Sequence, residues 1–256
     1  MSAGGLWRRI AAGIGKGPVP PLPSMDPPVC IVGDVHGQAA LLDALLDRIA
    51  AQPGAGAARI VLVGDLIDRG PHSASVLERV RALDEAGRAC CLMGNHERMM
   101  LDFLDDPEAG WRWLLHGGIE TLASFGIAGR AAGAEPAAWR ADLASRLRAA
   151  LPAGMEHWLR ARPLLWHEDT LAVTHAGADP DRAIADQDED ALLWGHPRFP
   201  RRTRPDGVWV AHGHRAQDAV TARKGRLAVD TGAGHGGALS AAWIGRDGLR
   251  VISVEP

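Results

Sequence analysis

Cysteine is scarce in this sequence, and its few copies exclude several classes of protein. Only three cysteines occur among 256 residues, and two of them, Cys90 and Cys91, are adjacent. Such a set indicates neither a disulfide framework nor a zinc ribbon. Because these two and Cys30 lie in apolar, strand-like runs, we expect buried reduced thiols and a cytoplasmic protein.

The sequence also lacks a long hydrophobic run and a strong excess of either charge. No apolar stretch approaches the roughly 20 residues of a membrane-spanning helix, so we expect no membrane span. The formal net charge of −3 gives no general attraction for nucleic acid or anionic lipid, and we expect neither as a partner. The hydrophobic fraction of 46% is ordinary for one substantial folded core, and the oligomeric state stays open.

Proline and glycine near the N-terminus separate a tail from the folded domain. Residues 13–28 are rich in both and end in Pro-Leu-Pro-Ser-Met-Asp-Pro-Pro, which excludes a regular helix or a central strand. We therefore predict a tail over residues 1–28 and one folded domain over residues 29–256.

Strands and helices alternate along the first part of this domain. Strands are predicted over 29–33, 59–64 and 88–93, and helices over 38–51, 73–86 and 97–104. Short connections between them indicate parallel strands joined by right-handed crossovers. In such sheets, ligands gather at the carboxyl ends of the strands.

The second part of the domain is predicted to be helical first and then rich in strands. Helices over 111–125, 137–150 and 155–160 form a helical insertion at about 105–163. Strands follow over 171–174, 208–211, 226–229, 238–244 and 249–254, and their closeness along the chain favours antiparallel pairing. The whole predicts an α/β domain with mixed sheets.

Ligand-type side chains follow five of the predicted strands. They are Asp34 and His36 in Gly-Asp-Val-His-Gly, Asp65 in Gly-Asp-Leu-Ile-Asp-Arg-Gly, Asn95 in Gly-Asn-His-Glu, His175 in His-Ala-Gly, and His214 in Gly-His. An isolated Asp before a turn often caps a helix and a lone His is usually structural, but those explanations do not account for five such strand ends. Six ligands are too many for one tetrahedral zinc and suit two ions about 3.5–4 Å apart.

These phrases closely resemble the signature of the phosphoprotein phosphatase family of calcineurin-like metallophosphoesterases. The chain is most similar to the short bacterial and phage serine/threonine phosphatase branch, and the resemblance covers about residues 29–254. It implies a central β-sandwich of mixed sheets flanked by helices. It also implies two divalent metal ions, often manganese, iron or zinc, and a catalytic domain over residues 29–256.

The resemblance also implies a role for each site residue. Asp34, His36 and Asp65 would bind the first metal, and Asp65, Asn95, His175 and His214 the second. A hydroxide between the metals would attack phosphorus, His96 would protonate the leaving oxygen, Asp68 would orient His96, and Arg69 and Asn95 would contact phosphate.

One departure from the family pattern leaves the second phosphate contact open. Bacterial relatives usually carry an Arg two residues after the Trp of a Leu-Leu-Trp phrase, but here His196 stands there and Arg198 follows two residues later. We predict that Arg198 contacts phosphate, with His196 as the alternative. His212 precedes the ligand His214 by two residues and is predicted to lie behind the ligands, with direct coordination as the alternative.

Three functions compete: two enzymatic activities and one function without catalysis. The first is hydrolysis of phosphoserine or phosphothreonine in a phosphorylated protein or peptide, and the second is hydrolysis of dinucleoside tetraphosphates. Relatives of the second kind typically lack the carboxylate at Asp68 and have Asp instead of Glu97, so these two residues favour the first. The third, a binding module without activity, is disfavoured because every predicted ligand and the acid His96 are present.

Overall fold

Two five-stranded sheets packed face to face form the centre of the computed structural model, which describes residues 19–128 and 136–256. The strands are β1 Val29–Val32, β2 Arg59–Leu62, β3 Ala89–Cys91, β4 Leu165–Glu168, β5 Leu171–Thr174, β6 Trp209–His212, β7 Thr221–Arg223, β8 Arg226–Ala228, β9 Leu239–Gly245 and β10 Gly248–Val254. The helices are α1 Ala39–Ala50, α2 Ser73–Glu85, α3 Asn95–Asp105, α4 Gly118–Ser124, α5 Pro136–Ala150, α6 Met155–Arg160 and α7 Glu189–Trp194. This architecture confirms the predicted α/β fold class.

The first sheet has the order β10-β9-β1-β2-β3 and joins the sandwich to a layer of helices. Its β1, β2 and β3 are parallel, as the alternation with α1 and α2 predicts. The strand β9 is antiparallel to both of its neighbours, β1 and β10. Side chains alternate along β1 because its two faces have different neighbours. Cys30 and Val32 pack in the cluster that includes α1–α3, and Val29 and Ile31 pack against the second sheet.

The second sheet has the order β4-β5-β6-β8-β7 and corrects the expected antiparallel pairing. Its three central strands, β5, β6 and β8, are parallel, and only its edge strands β4 and β7 are antiparallel to their neighbours. The short β7, which the sequence pattern did not reveal, reverses the chain between β6 and β8. The strands β7 and β8, which are adjacent along the chain, therefore form an antiparallel hairpin at the edge of the sheet, and β6 and β8 form a parallel pair inside it.

The helical insertion differs in one place from the single helix predicted over 111–125. Gly117 adopts a left-handed backbone conformation with φ of +105° and divides that segment into a 3-10 helix, Gly110–His116, and the helix α4. Only glycine adopts such a conformation readily, so the helix cannot continue through this residue. The break turns the buried Trp113 and Thr121 towards the same place, which matters for the site below.

The described residues before β1 lie against the domain. The Met25 side chain is buried among residues of both sheets, and the Trp209 indole N–H donates a hydrogen bond to the Pro20 carbonyl oxygen at 3.2 Å. Residues 1–18 of the predicted tail lie outside the described residues. The cysteines are free thiols, with Cys30 and Cys91 buried, and the cytoplasmic location stays a prediction. None of the described helices is long and apolar enough to cross a membrane.

Candidate metal centre

The carboxyl ends of parallel strands from both sheets meet in one buried cluster. Asp34 follows β1, Asp65 follows β2, and Asn95 is the first residue of α3 after β3. His175 follows β5, and His214 lies two residues after β6. The His214 backbone N–H donates to an Asp34 carboxylate oxygen at 3.0 Å, and the His175 ring donates to the Val63 carbonyl oxygen at 3.0 Å. These contacts join the two sheets at the site.

Unusual backbone conformations concentrate here. Among the described residues, seven non-glycine residues have positive φ, and five of them belong to this site: His36, Asp65, Asp68, Arg69 and His214. Such conformations cost about 1–3 kcal/mol each and persist only where the surrounding structure enforces them. Gly213 is required by a close approach, because a Cβ there would lie 1.8 Å from an Asp34 carboxylate oxygen.

Two overlapping groups of ligand atoms share Asp65. In one group the ligand atoms of Asp65, His175 and His214 all lie within 4.8 Å of one another, and in the other those of His36, Asp65 and His96 do. The Asn95 side-chain oxygen belongs with the first group, at 2.7 Å from His175 Nε2 and 2.9 Å from His214 Nδ1. Asp65 belongs to both groups, and its place between two ions stays a prediction.

The chemistry of these atoms fits divalent cations. His36 Nδ1 lies 2.8 Å from the Ile67 carbonyl oxygen, and His175 Nδ1 makes the corresponding contact with Val63, so both Nδ1 atoms are assigned as the N–H donors. Each Nε2 then carries a lone pair and faces the Asp65 carboxylate, at 3.6 Å and 3.4 Å respectively. The His175 Nε2 lone pair and the Asp65 carboxylate face one another in a buried site, where a divalent cation between them would be favourable, and backbone hydrogen bonds of this kind typically orient metal-binding histidines.

Electrostatics keep the predicted histidine ligands neutral. Burial lowers the pKa of His36 to about 3 and of His214 to about 4, and it lowers the pKa of His175 as well. A neutral imidazole offers the lone pair that a metal needs. Burial, together with the charges of Asp230 and Asp65, raises the pKa of the Asp34 carboxyl well above its usual range. A cation beside Asp34 would offset that repulsion.

Asp34 stands slightly apart from the two groups of ligand atoms. Its carboxylate is buried and accepts both hydrogen bonds from the His214 backbone N–H, at 3.0 Å and 3.2 Å. It is not a member of either group whose atoms lie within 4.8 Å of one another. Its role as a ligand of the first metal therefore stays a prediction.

His96 and Asp68 form a buried hydrogen-bonded pair, as predicted for the proton donor and its orienting carboxylate. His96 Nδ1 lies 2.6 Å from an Asp68 carboxylate oxygen. Trp113 and Thr121, from either side of the break at Gly117, donate to the same carboxylate at 2.9 Å and 2.6 Å. Burial alone would lower the pKa of His96, but Asp65 and Asp68 outweigh it and raise that pKa. His96 is thus the site histidine that holds a proton most readily.

The Arg69 guanidinium lies between His36 and His96, and its role as a phosphate contact stays a prediction. One of its nitrogens donates to His36 Nε2 at 2.9 Å and the other is 3.2 Å from His96 Nε2. The guanidinium therefore bridges the metal-ligand group and the proton donor. Its fork of N–H donors suits phosphoryl oxygens.

Glu97 is a site residue whose structural role the sequence reasoning missed. One carboxylate oxygen accepts from the backbone N–H groups of Leu66 and Ile67, and the other accepts from those of Asp65 and Gly94. The side chain thereby holds the loop after β2 against the N-terminus of α3. Its position three residues after Gly94, at the start of a helix, is the available sequence signal for a side chain that caps the helix.

The structure does not bring Arg198 to the ligand cluster. The guanidinium of Arg198 pairs with Asp181 and lies 3.6 Å from Asp179, and its side chain is half exposed. The alternative, His196, lies 3.8 Å from the same Asp179 carboxylate. His212 is buried on the outer face of β6 against Phe199, with ring centroids 5.1 Å apart, and takes part in neither group of ligand atoms.

Comparison with known proteins supplies the family. The model of the calcineurin-like phosphoesterase family matches residues 27–216. A relative from Ralstonia nicotianae named symmetrical bis(5'-nucleosyl)-tetraphosphatase is 30% identical, over 82% of this chain and 87% of its own length. A relative of the same name from Chromohalobacter salexigens is 34% identical over 62% of this chain, and this chain spans 48% of its length.

Solved structures agree on the fold. A crystal structure provisionally named a diadenosine tetraphosphatase covers 91% of this chain and 95% of its own, with a TM-score of 0.61 and 25% identity. The names of these relatives do not support the narrower resemblance to the short bacterial serine/threonine phosphatase branch. The wider resemblance is confirmed, because the family model covers most of the chain. The chain therefore belongs to the calcineurin-like phosphoesterase family, and it is a metal-dependent phosphoester hydrolase.

Proposed function

We propose that this protein hydrolyses dinucleoside tetraphosphates at a phosphoanhydride bond. The observation that carries the proposal is the relative from Ralstonia nicotianae, which matches over 82% of this chain and is named for that substrate. This reading takes the place of the phosphoprotein substrate favoured by the sequence alone.

The residues named above would hold two divalent ions, for which we propose manganese, with iron or zinc as alternatives. His36 and Asp65, with Asp34, would hold one ion. Asp65 would hold the other ion together with Asn95, His175 and His214. When bound, such ions acidify water and withdraw charge from phosphoryl oxygens. Oxygen and imidazole ligands accept several metals, so the donor set alone does not select one.

The protein's own residues position the tetraphosphate and its leaving group. Arg69 orients two oxygens of the attacked phosphoryl group with its fork of N–H donors. Water gives up a proton to solvent and its oxygen forms a bond to phosphorus, while the anhydride P–O bond breaks and the second nucleotide departs with the bridging oxygen. His96, oriented by Asp68 at 2.6 Å, supplies a proton to that departing oxygen.

A second candidate function rests on the His96–Asp68 pair. A phosphate leaving group is a weak base and departs readily without a proton, whereas the alkoxide of serine or threonine is a strong base and needs one. A histidine whose pKa is raised by a buried carboxylate is suited to the more demanding reaction. The pair therefore favours phosphomonoester hydrolysis as the second candidate.

A direct comparison of substrates tests the proposal. The purified protein with Mn²⁺ is given diadenosine tetraphosphate and, separately, a phosphothreonine peptide, and kcat/KM is measured for each from the products. We expect kcat/KM for the tetraphosphate to exceed that for the peptide at least about tenfold, with loss of both activities in EDTA. The reverse ranking would favour the second candidate, and no turnover of the tetraphosphate would overturn the proposal.

A further inference from the structure

A basic cavity lies beside the metal centre, on the outer side of the second sheet. It has a volume of about 380 Å³, which is within the usual size range of sites for small molecules. Its walls come from the segments after β5 and β6, from residues 195–200 after α7, and from the hairpin β7–β8. The lining side chains used below are His212, Arg215, Arg223, Lys224, Arg226 and Phe199.

The cations of this cavity lack acidic partners. No carboxylate lines the cavity, and within residues 19–128 and 136–256 none lies within 4.0 Å of the charged atoms of Arg215, Arg223, Lys224 or Arg226. Neighbouring arginines outside it behave differently: Arg202, for instance, pairs with Asp181 at 2.7 Å. Four cations without an acidic partner in the described part of the chain thus surround one cavity, and together they suit an anion.

Arg226 shows the electrostatic cost of this arrangement. Its guanidinium lies 5.9 Å from the centre of the Phe199 ring, and one nitrogen donates to the Arg202 carbonyl oxygen at 3.1 Å. Burial and the charge of Arg223 lower the pKa of Arg226. A bound anion would relieve the repulsion between the two guanidinium groups, because each would then face a negative charge.

The cavity also has an aromatic floor. The Phe199 ring packs edge-on against the His212 imidazole, with centroids 5.1 Å apart, and both rings line the space that the cations surround. Both rings are buried, and the Arg226 guanidinium lies over the Phe199 ring, so the rings form the floor of the cavity. The cations around this floor are the surface that the phosphates of a ligand would meet.

Two residues that line the cavity directly follow predicted metal ligands in the sequence. Ala176 follows the ligand His175, and Arg215 follows the ligand His214, and both line the cavity. Gly195, another lining residue, follows Trp194, whose ring makes an edge-on contact with the His214 ring at 6.5 Å. The cavity and the metal ligands therefore share the chain segments that follow β5 and β6.

We propose that this cavity binds the nucleotide half of the substrate that lies beyond the attacked phosphorus, with Arg223 and Arg226 on its phosphates. The inference rests on the proposed function, because only a substrate with a second nucleotide needs such a site. Arg198, which the sequence favoured as a phosphate contact, is held by Asp181, so cations of the cavity would supply the contact in its place.

The test uses ADP as the probe on metal-free protein in EDTA, so that it does not depend on turnover. Titration calorimetry compares the wild type with Arg223→Ala, with the double variant Arg223→Ala/Arg226→Gln, and with Arg250→Ala. Arg250 is an exposed arginine on β10 and serves as the matched control. We expect the Kd for ADP to rise about tenfold with each cavity substitution and to stay unchanged in the control.

The outcomes separate this inference from the proposed function. If the wild type does not bind ADP at 1 mM, a concentration of about the upper end of usual KM values, or if the double variant binds as well as the wild type, the cavity is not the nucleotide site. In active enzyme, the ratio of kcat/KM for diadenosine tetraphosphate to that for p-nitrophenyl phosphate should fall about tenfold or more in the double variant. A wild type that binds ADP but prefers phosphopeptide would contradict the proposed function and leave the site itself supported.

Discussion

Four histidines surround Asp65, and their different neighbours divide them into two chemical kinds. His36, His175 and His214 are neutral at neutral pH because burial lowers their pKa values. His96 is also buried, but the Asp65 and Asp68 charges raise its pKa. These directions agree with the proposed roles of three of the histidines as metal ligands and of the fourth as proton donor.

Substitutions at the two kinds of residue should have separable effects. His96→Asn should retain metal and lose turnover of a phosphothreonine peptide, whose leaving group needs a proton, by about 10²–10⁴-fold, the usual contribution of a general acid. Asp65→Asn should lose metal as well, because both groups of ligand atoms share this carboxylate. Metal content by elemental analysis and kcat on the same samples provide the measurement. A His96→Asn variant as active as the wild type would contradict the assignment of the acid.

The Asp68 carboxylate should matter more for a strongly basic leaving group than for a weak one. In Asp68→Asn one of the two charges that raise the pKa of His96 is removed and the Asp65 charge remains, while Trp113 and Thr121 still have an amide oxygen to donate to. We expect kcat on a phosphothreonine peptide to fall about 10²-fold and kcat on diadenosine tetraphosphate to fall less than about tenfold.

The control for this comparison is Asp247→Asn, which removes an exposed carboxylate from the turn between β9 and β10. It should leave both rates unchanged. Equal losses on the two substrates in Asp68→Asn would show that the carboxylate acts on the structure of the site and not on the proton of the leaving group.

Among the elements, the loop after β2 and the start of α3 depend on one side chain. Glu97 accepts four backbone hydrogen bonds in a buried setting, from Asp65, Leu66, Ile67 and Gly94. Glu97→Gln replaces an acceptor oxygen by a donor and leaves one or two of these N–H groups without a partner. Each such buried group costs about 1–3 kcal/mol.

We therefore expect Glu97→Gln to lower the free energy of unfolding by about 2–4 kcal/mol, measured by urea denaturation of the metal-free protein. The matched control is Glu85→Gln at the end of α2, where an exposed pair with Arg81 is removed. That pair is worth about 0.5 kcal/mol or less. A Glu97→Gln variant as stable as the control would contradict the clamping role of this side chain.

The parts of the site that the sequence could predict are those set by local chain direction. Asp65 and Asn95 each follow a buried strand, and the carboxyl ends of parallel strands meet at one edge of the sheet. Their side chains are therefore expected to lie close together at that edge. The contacts of Asp68 with Trp113 and Thr121 span 45 and 53 residues and depend on the break at Gly117, so no local pattern encodes them.

The prediction was less accurate for strands and loops whose position depends on contacts with distant parts of the chain. The short edge strands β4 and β7 were missed, and the parallel order of β5, β6 and β8 was predicted as antiparallel. The pairing of Arg198 with Asp181 depends on how two loops meet, which the sequence does not reveal. The first sheet followed the prediction closely because helices separate its parallel strands.

For the whole molecule, the metal centre is also a junction between the two sheets. Asp34 and Asp65 follow strands of the first sheet, and His175 and His214 follow strands of the second. A cation bound by residues of both sheets stabilises the folded state over the unfolded chain, in which no such site exists. It also offsets the repulsion among the buried carboxylates.

Removal of metal should accordingly lower the thermal stability of the protein. At Mn²⁺ concentrations about 100-fold above Kd, binding adds about 2.7 kcal/mol, which raises Tm by roughly 5–10 °C for a chain of this size. Scanning calorimetry with Mn²⁺ and with EDTA measures the difference. The Asp65→Asn variant should show a much smaller difference, and an equal response would place the stabilising ion elsewhere.

Anomalous X-ray diffraction from crystals grown with Mn²⁺ tests the two-metal site most directly. We predict two anomalous peaks about 3.5–4 Å apart. Both peaks should contact the Asp65 carboxylate, with His36 on one and Asn95, His175 and His214 on the other. A single peak, or two peaks that do not share Asp65, would contradict the dinuclear centre on which the proposed hydrolysis depends.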